Sequence, residues 1–193
     1  MEKIIVIDTE TVFGTYGLLS VGVVVVERDG QTLKTLDTYF GFSNEFNHGF
    51  YFTQQLAYAK RNNVKRKPRC EIEAELTDLV RRYNVSEAFA YNAGFDKTVT
   101  QTYLPALQFN WLDLMKPARQ ILASDPHYPD YKRFHPYIEL TKKGLLKSGY
   151  SVDCVGRYLG LPHETHVAIE DAQMETIIAF RLGLFDCAAV LRK

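Results

Sequence analysis

Residues 1–40, MEKIIVIDTETVFGTYGLLSVGVVVVERDGQTLKTLDTYF, hold three segments of strand character in succession. Ile4 to Ile7 is a continuous apolar run, the pattern of a strand covered on both faces, and it stops at the polar Asp8-Thr9-Glu10. Leu18 to Glu27 is rich in valine and Thr32 to Phe40 is β-branched and aromatic, with Asp29-Gly30 between them as a hairpin-turn signal. The opening therefore predicts three strands, antiparallel after the first, with acids delivered to the end of the leading one.

Helical spacing takes over downstream. Phe52 to Lys60 and Glu71 to Tyr83 read as helices, the second with Ile72, Leu76, Leu79 and Val80 as its stripe. Glu87 to Tyr91 reads as a buried strand, Gly94 to Leu104 as a helix, Phe109 to Leu112 as a strand and Lys116 to Ala123 as a helix. Strands first and alternating units afterwards indicate an α/β fold. Ser124 to Pro136, with three prolines and no period, predicts a loop able to lid a site. Thr141 to Lys147 and Ser151 to Leu159 suit short helices, Ser151 as an N-cap. A last long helix begins near Val167 or Ala168 and runs to Arg181, with Ile169, Ala172, Ile177, Phe180 and Leu184 as its apolar face.

At 193 residues the expectation is a single domain, and 46% hydrophobic with 24% charged residues is a globular composition. Cys70, Cys154 and Cys187 are odd in number and unpaired in spacing, which excludes a disulfide framework and fits a reducing compartment. The run from Leu18 to Val26 is too short to span a bilayer, so a cytoplasmic protein without a membrane partner is expected. A formal net charge of zero gives no global support for a nucleic-acid partner. Only KRNNVKRKPR, residues 60–69, is locally basic, and it reads either as a solvated helix end or as a phosphate contact together with Lys142, Lys143 and Lys147.

Three elements carry candidate chemistry, each with a plainer alternative. Asp8 and Glu10, two apart on a strand, present both carboxylates to one point and can share a divalent cation, or they cap neighbouring amides. Asn92 and Asp96 in Tyr91-Asn92-Ala93-Gly94-Phe95-Asp96 follow a strand and enter a helix, as site residues or as turn formers and caps. His166 stands just before the last helix and Asp171 in its first turns, as a mobile and a rigid site residue or as a surface histidine and an aspartate complementing the helix dipole.

Together, Asp8-Thr9-Glu10-Thr11, Asn92-Ala93-Gly94-Phe95-Asp96 and the tail SVDCVGRYLGLPHETHVAIEDA, residues 151–172, resemble the DEDDh family of 3′ to 5′ exonucleases in order and spacing. The resemblance implies a ribonuclease H-like fold, a mixed central sheet of about five strands with the first three antiparallel, flanked by helices. It implies two divalent metal ions, Mg2+ or Mn2+, with Asp8 bridging them, Glu10 and Asp171 on the tighter one and Asp96 helping to hold the other. His166 is then the general base and nucleoside 5′-monophosphate the product. Thr11, Phe13, Asn92 and Phe95 become substrate-binding candidates, the two phenylalanines as stacking faces for terminal bases, beside a reading of both as core aromatics. Val12, Phe13 and Gly14 depart from the family's usual continuation after the threonine, and Tyr91 stands where a histidine is frequent.

The expected partner is a 3′ end of single-stranded DNA or RNA, a choice that rests on 2′-hydroxyl contacts the sequence does not locate. Homodimers occur among such enzymes, and proofreading would require a polymerase or repair partner chain. Two rival classes remain: a catalytically silent nucleic-acid-binding module of the same fold, and a structural domain whose acids only cap helices.

Overall fold

The computed structural model of the chain describes residues 2–12, 17–29, 32–49, 51–134, 149–187 and 189–190. Strands β1 (Glu2–Thr11), β2 (Leu18–Arg28) and β3 (Leu33–Phe42) form an antiparallel meander. On the other side of β1, β4 (Glu87–Ala90) and β5 (Asn110–Asp113) pair in parallel, giving the order β3-β2-β1-β4-β5 of the expected five-stranded mixed sheet. A two-residue β6 (Ala189–Val190) adds antiparallel to β5.

The helices are α1 (Phe52–Arg61), α2 (Arg69–Tyr83), α3 (Gly94–Tyr103), α4 (Met115–Ser124), α5 (Tyr128–Phe134), α6 (Val152–Tyr158) and α7 (Ala168–Arg181). Side-chain alternation along the central strands divides the core in two. Ile4, Val6, Val24 and Val26 face one side, where they meet Ala172, Met174 and Ile178 of α7 together with residues of α4, α5 and α6. Ile5, Ile7, Val23 and Val25 face the other, against Ile72, Leu76 and Leu79 of α2 and Val99 of α3. A strand covered on both faces carries no polar residue in its middle, which is why Ile4 to Ile7 is uninterrupted.

β1 carries Asp8 and Glu10 on the strand, as expected: its ladder with β2 runs through Asp8 opposite Gly22, Thr9 opposite Val21 and Glu10 opposite Ser20, with an irregularity only between Glu10 and Thr11. The segment read as loop from Ser124 to Pro136 contains α5. Pro129 stands in its first turn, where a missing N–H costs nothing. Tyr128 anchors it, fully buried with ring centroids 5.7, 5.6 and 4.8 Å from those of Tyr131, Tyr150 and Tyr158, and its hydroxyl donates to the Gly149 carbonyl. Ser151 caps α6, its hydroxyl oxygen accepting from the Cys154 amide at 3.3 Å. On α7, Ile169 and Ala172 of the expected face are buried, whereas Ile177 is 39% exposed and Ile178 is buried in its place. Asp171 and Glu175 also face inward, both buried. Phe13 and the helix expected over Thr141 to Lys147 lie outside the described residues.

The close approach that places α7 is at Gly22. A Cβ there would lie 2.2 Å from the carbonyl carbon and oxygen of Ala168 and 2.3 Å from the Ile169 nitrogen, so β2 and the first turn of α7 touch backbone to backbone. Since Gly22 pairs with Asp8, this contact brings the start of α7 beside the acids of β1. Among the described residues no helix is long and apolar enough to cross a membrane.

Gly22→Ala is expected to cost about 3 kcal/mol, the upper part of the range for overpacking a rigid contact. Chemical denaturation measures it, and an unchanged midpoint would show that α7 does not rest on β2 at this point.

Candidate active site

The alternation that fills the two cores also sorts the residues at the end of β1. Thr9 is buried, and both its amide and its hydroxyl donate to Asp96 Oδ1, at 2.9 and 2.8 Å. That double bond ties the first turn of α3 to β1. Asp96 is 3% exposed, and the positive end of the helix favours its charge.

Asp171, 1% exposed in the first turn of α7, accepts from the Thr165 amide at 3.2 Å through Oδ1. His166 precedes α7 with φ of 56°, a left-handed backbone that costs a histidine energy unless its surroundings impose it. They do. The wholly buried Gln55 of α1 donates through Nε2 to the His166 carbonyl, and Tyr51 stacks on the imidazole with centroids 4.0 Å apart and planes 21° from parallel. His166 Nδ1 lies 3.9 Å from Glu10 Oε1 and 3.8 Å from Glu164 Oε1. Glu10, His166 and Asp171 each offer a ligand atom within 4.8 Å of the others.

The electrostatics of this cluster are unfavourable for bare charge. Burial, then repulsion from Asp171, Glu164 and Asp96, pushes Glu10 up to about 9. Burial and Glu164 raise Asp171 to about 8, against the Thr165 amide, which lowers it. Burial raises Asp96 to about 7 despite the two Thr9 bonds, and Glu164 reaches about 7 through burial and Asp153. Asp8 is held well above the ordinary carboxylate range by burial first and then by Asp96, Glu175, Glu10 and Asp171. Those neighbours place Asp8, Glu10, Asp96 and Asp171 in one electrostatic cluster, with His166 at its Glu10 side.

Asp8 Oδ2 and Asp171 Oδ2 are buried with no donor among the described residues. Convergent carboxylate oxygens without donors match the needs of a hard divalent cation, which binds oxygen and neutralises repulsion. Asp8, Glu10, Asp96 and Asp171 fit such a group.

Four residues here escaped sequence reading. Glu175, one turn after Asp171, is 2% exposed, accepts from the Tyr91 amide at 3.1 Å, and is raised well above its ordinary value by burial and Asp96. Glu164, Gln55 and Tyr51 owe their roles to tertiary contact alone. The expected substrate contacts are not themselves part of the acidic cluster. Asn92 has φ of 70° and accepts the Phe95 amide at 3.1 Å, which is its work as a turn former, and its side chain is exposed. Phe95 is 37% exposed next to Asp96, which excludes the core reading. Thr11 is half-buried at the end of β1.

The basic run is largely occupied. Arg66 donates to Asn47 and to the Ser43 and Phe46 carbonyls while lying over Phe42 and Phe52. Lys67 pairs with Glu71 and Glu75, Arg61 with Glu170, and Arg69 with Glu45. Within this run Lys60 and Lys65 are exposed without an ion pair among the described residues, and Lys142, Lys143 and Lys147 lie outside those residues. His163 is held by Asp153 Oδ1 at 2.7 Å from Nδ1.

No protein-family model and no curated protein is matched by the sequence. Solved structures are matched over nearly the whole chain. The nuclease domain of 3′hExo, a DEDDh family member, bound to rAMP, is 13% identical at a TM-score of 0.63, covering 99% of this chain and 96% of that one. A 3′-exonuclease recognising the 3′ end of a histone mRNA stem-loop gives 12% and 0.64, covering 97% and 84%. Exonuclease X in complex with 5′ overhanging duplex DNA gives 19% and 0.51, covering 95% and 92%. The chain thus has the ribonuclease H-like fold of DEDDh 3′-exonucleases.

A carboxyl raised by folding is protonated in the native chain at pH values where the unfolded chain has released its proton. The contribution of these carboxyls to stability is therefore fully present below about pH 4 and is lost as pH rises toward about 9, the value for Glu10. Melting temperature in chelator should drop between pH 5 and 9, and magnesium should remove most of the drop. A flat profile indifferent to magnesium would refute the crowding of these acids. Gln55→Ala should cost about 1–3 kcal/mol through the lost bond to His166, and an unchanged denaturation midpoint would count against that support.

Proposed function

We propose that the chain hydrolyses single-stranded DNA or RNA from the 3′ end, releasing nucleoside 5′-monophosphates, with two divalent metal ions, Mg2+ or Mn2+. The observation carrying this reading is the cluster of Asp8, Glu10, Asp96 and Asp171 beside His166, containing two buried carboxylate oxygens that no donor reaches among the described residues. Asp8 would serve both ions, Glu10 and Asp171 one, and Asp96 the other. Bound there, the ions supply Lewis-acid polarisation of the phosphate and a more acidic water.

The chain's own residues do the rest. His166, at the rim and 37% exposed in its side chain, accepts the proton of the attacking water. Gln55 and Tyr51 keep the imidazole in place during that transfer. Thr9 fixes Asp96 so that its position does not depend on the ions. Phe95, exposed in the first turn of α3, offers a face for the terminal base. Among neighbours of the same fold, one was captured with duplex DNA and another with a histone mRNA stem-loop, which supports a nucleic-acid substrate and leaves the sugar open.

With 5′-labelled oligonucleotides and manganese, a ladder shortening one nucleotide at a time is expected, with 3′-labelled substrate releasing labelled mononucleotide at once and chelator stopping both. His166→Asn should lower kcat by about 10²- to 10⁴-fold with KM little changed. Asp8→Asn should abolish hydrolysis yet raise the melting temperature of the metal-free protein, because it removes one of the repelling carboxylates. Binding without cleavage would favour a silent module, and neither binding nor cleavage would leave a structural domain.

A further inference from the structure

We infer that Glu164 joins Glu10, His166 and Asp171 in a site selective for a zinc-class divalent cation, and that a cation held there withdraws the His166 imidazole from the attacking water. The second half rests on the function proposed above; the binding site itself does not.

Glu164 belongs to none of the motifs of the sequence, yet its carboxylate is 3.8 Å from His166 Nδ1, on a nitrogen that also has Glu10 Oε1 at 3.9 Å. Asp171 completes the group, with its ligand atom within 4.8 Å of those of Glu10 and His166. The donor set thus mixes an imidazole with carboxylates, unlike the all-oxygen set proposed for magnesium. Magnesium demands oxygen ligands in near-octahedral order, whereas zinc accepts nitrogen and oxygen in a tetrahedron. Four donors are the number a closed zinc site uses.

An independent feature marks the spot as a ligand position. Asp171 is 1% exposed, and its Oδ2 is buried without a donor among the described residues, while Thr165 fixes its other oxygen. Gln55 anchors the backbone of His166. Two of the four ligands are therefore held in advance, and the adjustment falls on Glu10 and Glu164. Bond lengths of ~2.0–2.1 Å put the donors of a tetrahedral site roughly 3.3–3.4 Å apart. The separations observed at His166, 3.9 Å to Glu10 and 3.8 Å to Glu164, exceed that spacing by about half an ångström, and Glu164, outside the group within 4.8 Å, has to turn in to complete the set. The neighbouring Glu170 is engaged with Arg61 and Thr165 and does not compete.

Zinc and magnesium affinities of the unaltered protein, Glu164→Gln and His166→Asn, measured by competition with chromophoric chelators, test the inference. The ratio of zinc to magnesium affinity should fall about 10- to 100-fold in each variant. In the unaltered protein, one equivalent of zinc should shift the His166 imidazole resonances, magnesium should not, and zinc should slow magnesium-supported hydrolysis. A ratio unchanged in both variants, or a ring unmoved by zinc, overturns the site. If zinc binding depends on Glu164 and His166 while hydrolysis with magnesium is absent, the functional reading fails and the site stands. If hydrolysis is present and the ratio does not move, the site fails alone.

Discussion

Negative charge that water cannot reach is the constraint around which this molecule is arranged. Two unit charges about 4 Å apart repel by roughly 4 kcal/mol at the effective dielectric of a protein surface, and Asp8 feels Asp96, Glu175, Glu10 and Asp171 together. A fold of ordinary stability, ~5–15 kcal/mol, does not tolerate several such repulsions at once. It answers partly with donors, Thr9 to Asp96, Thr165 to Asp171 and the Tyr91 amide to Glu175. The remainder is met by carboxyls that stay protonated well above their usual range, or by a cation. The metal-free cluster is therefore a different chemical object from one whose acids are ionised.

The rigidity of the elements is what makes such crowding sustainable. Asp8 and Glu10 ride on a central strand paired with β2 along its length and with β4 at Ile5 and Val6, and Asp96 and Asp171 each occupy the first turn of a helix, where the dipole opposes the cost of charge. None can relax away without breaking a ladder or a helix start. Gly22 makes the geometry hold: with any side chain there, α7 would be lifted off β2 and Asp171 carried from the other acids. A residue without a side chain thus sets the separation of two buried carboxylates.

The central strands and most helices were legible because their periodicity is a direct imprint of burial, two for a strand and 3.6 for a helix. The three acidic elements were legible for a different reason, since each sits at a junction of strand or helix that the pattern marks. The helix α5 was not, because three prolines hide a segment held by aromatic packing around Tyr128 and not by an apolar stripe. The expected face of α7 holds at Ile169 and Ala172 and fails at Ile177, because two acids, Asp171 and Glu175, share the inward side and carry no apolar signal. Tyr51, Gln55 and Glu164 carry no local signal: each matters only for what lies across from it in space. The basic run left two readings open, and composition does not reveal that Arg66 is spent on the carbonyls of Ser43 and Phe46.

This distribution of cations bears on how a polyanion would be held. The formal net charge is zero, and of the basic residues between 60 and 69, Arg61, Lys67 and Arg69 have acidic partners while Arg66 is bound to backbone. A protein that grips a long tract of nucleic acid does so with a continuous row of unpaired lysines and arginines. Among the described residues this chain has no such row. Under the proposed function, the strongest positive charge presented to a phosphate by the described residues would be the cations held at Asp8, Glu10, Asp96 and Asp171. Under the proposed function, attraction would then centre on the phosphate at the acids and on stacking beside it, and Phe95 lies next to Asp96 for that contact. Such an arrangement favours recognition of an end over recognition of a length, because only a terminal nucleotide brings one phosphate and one unstacked base to the same place.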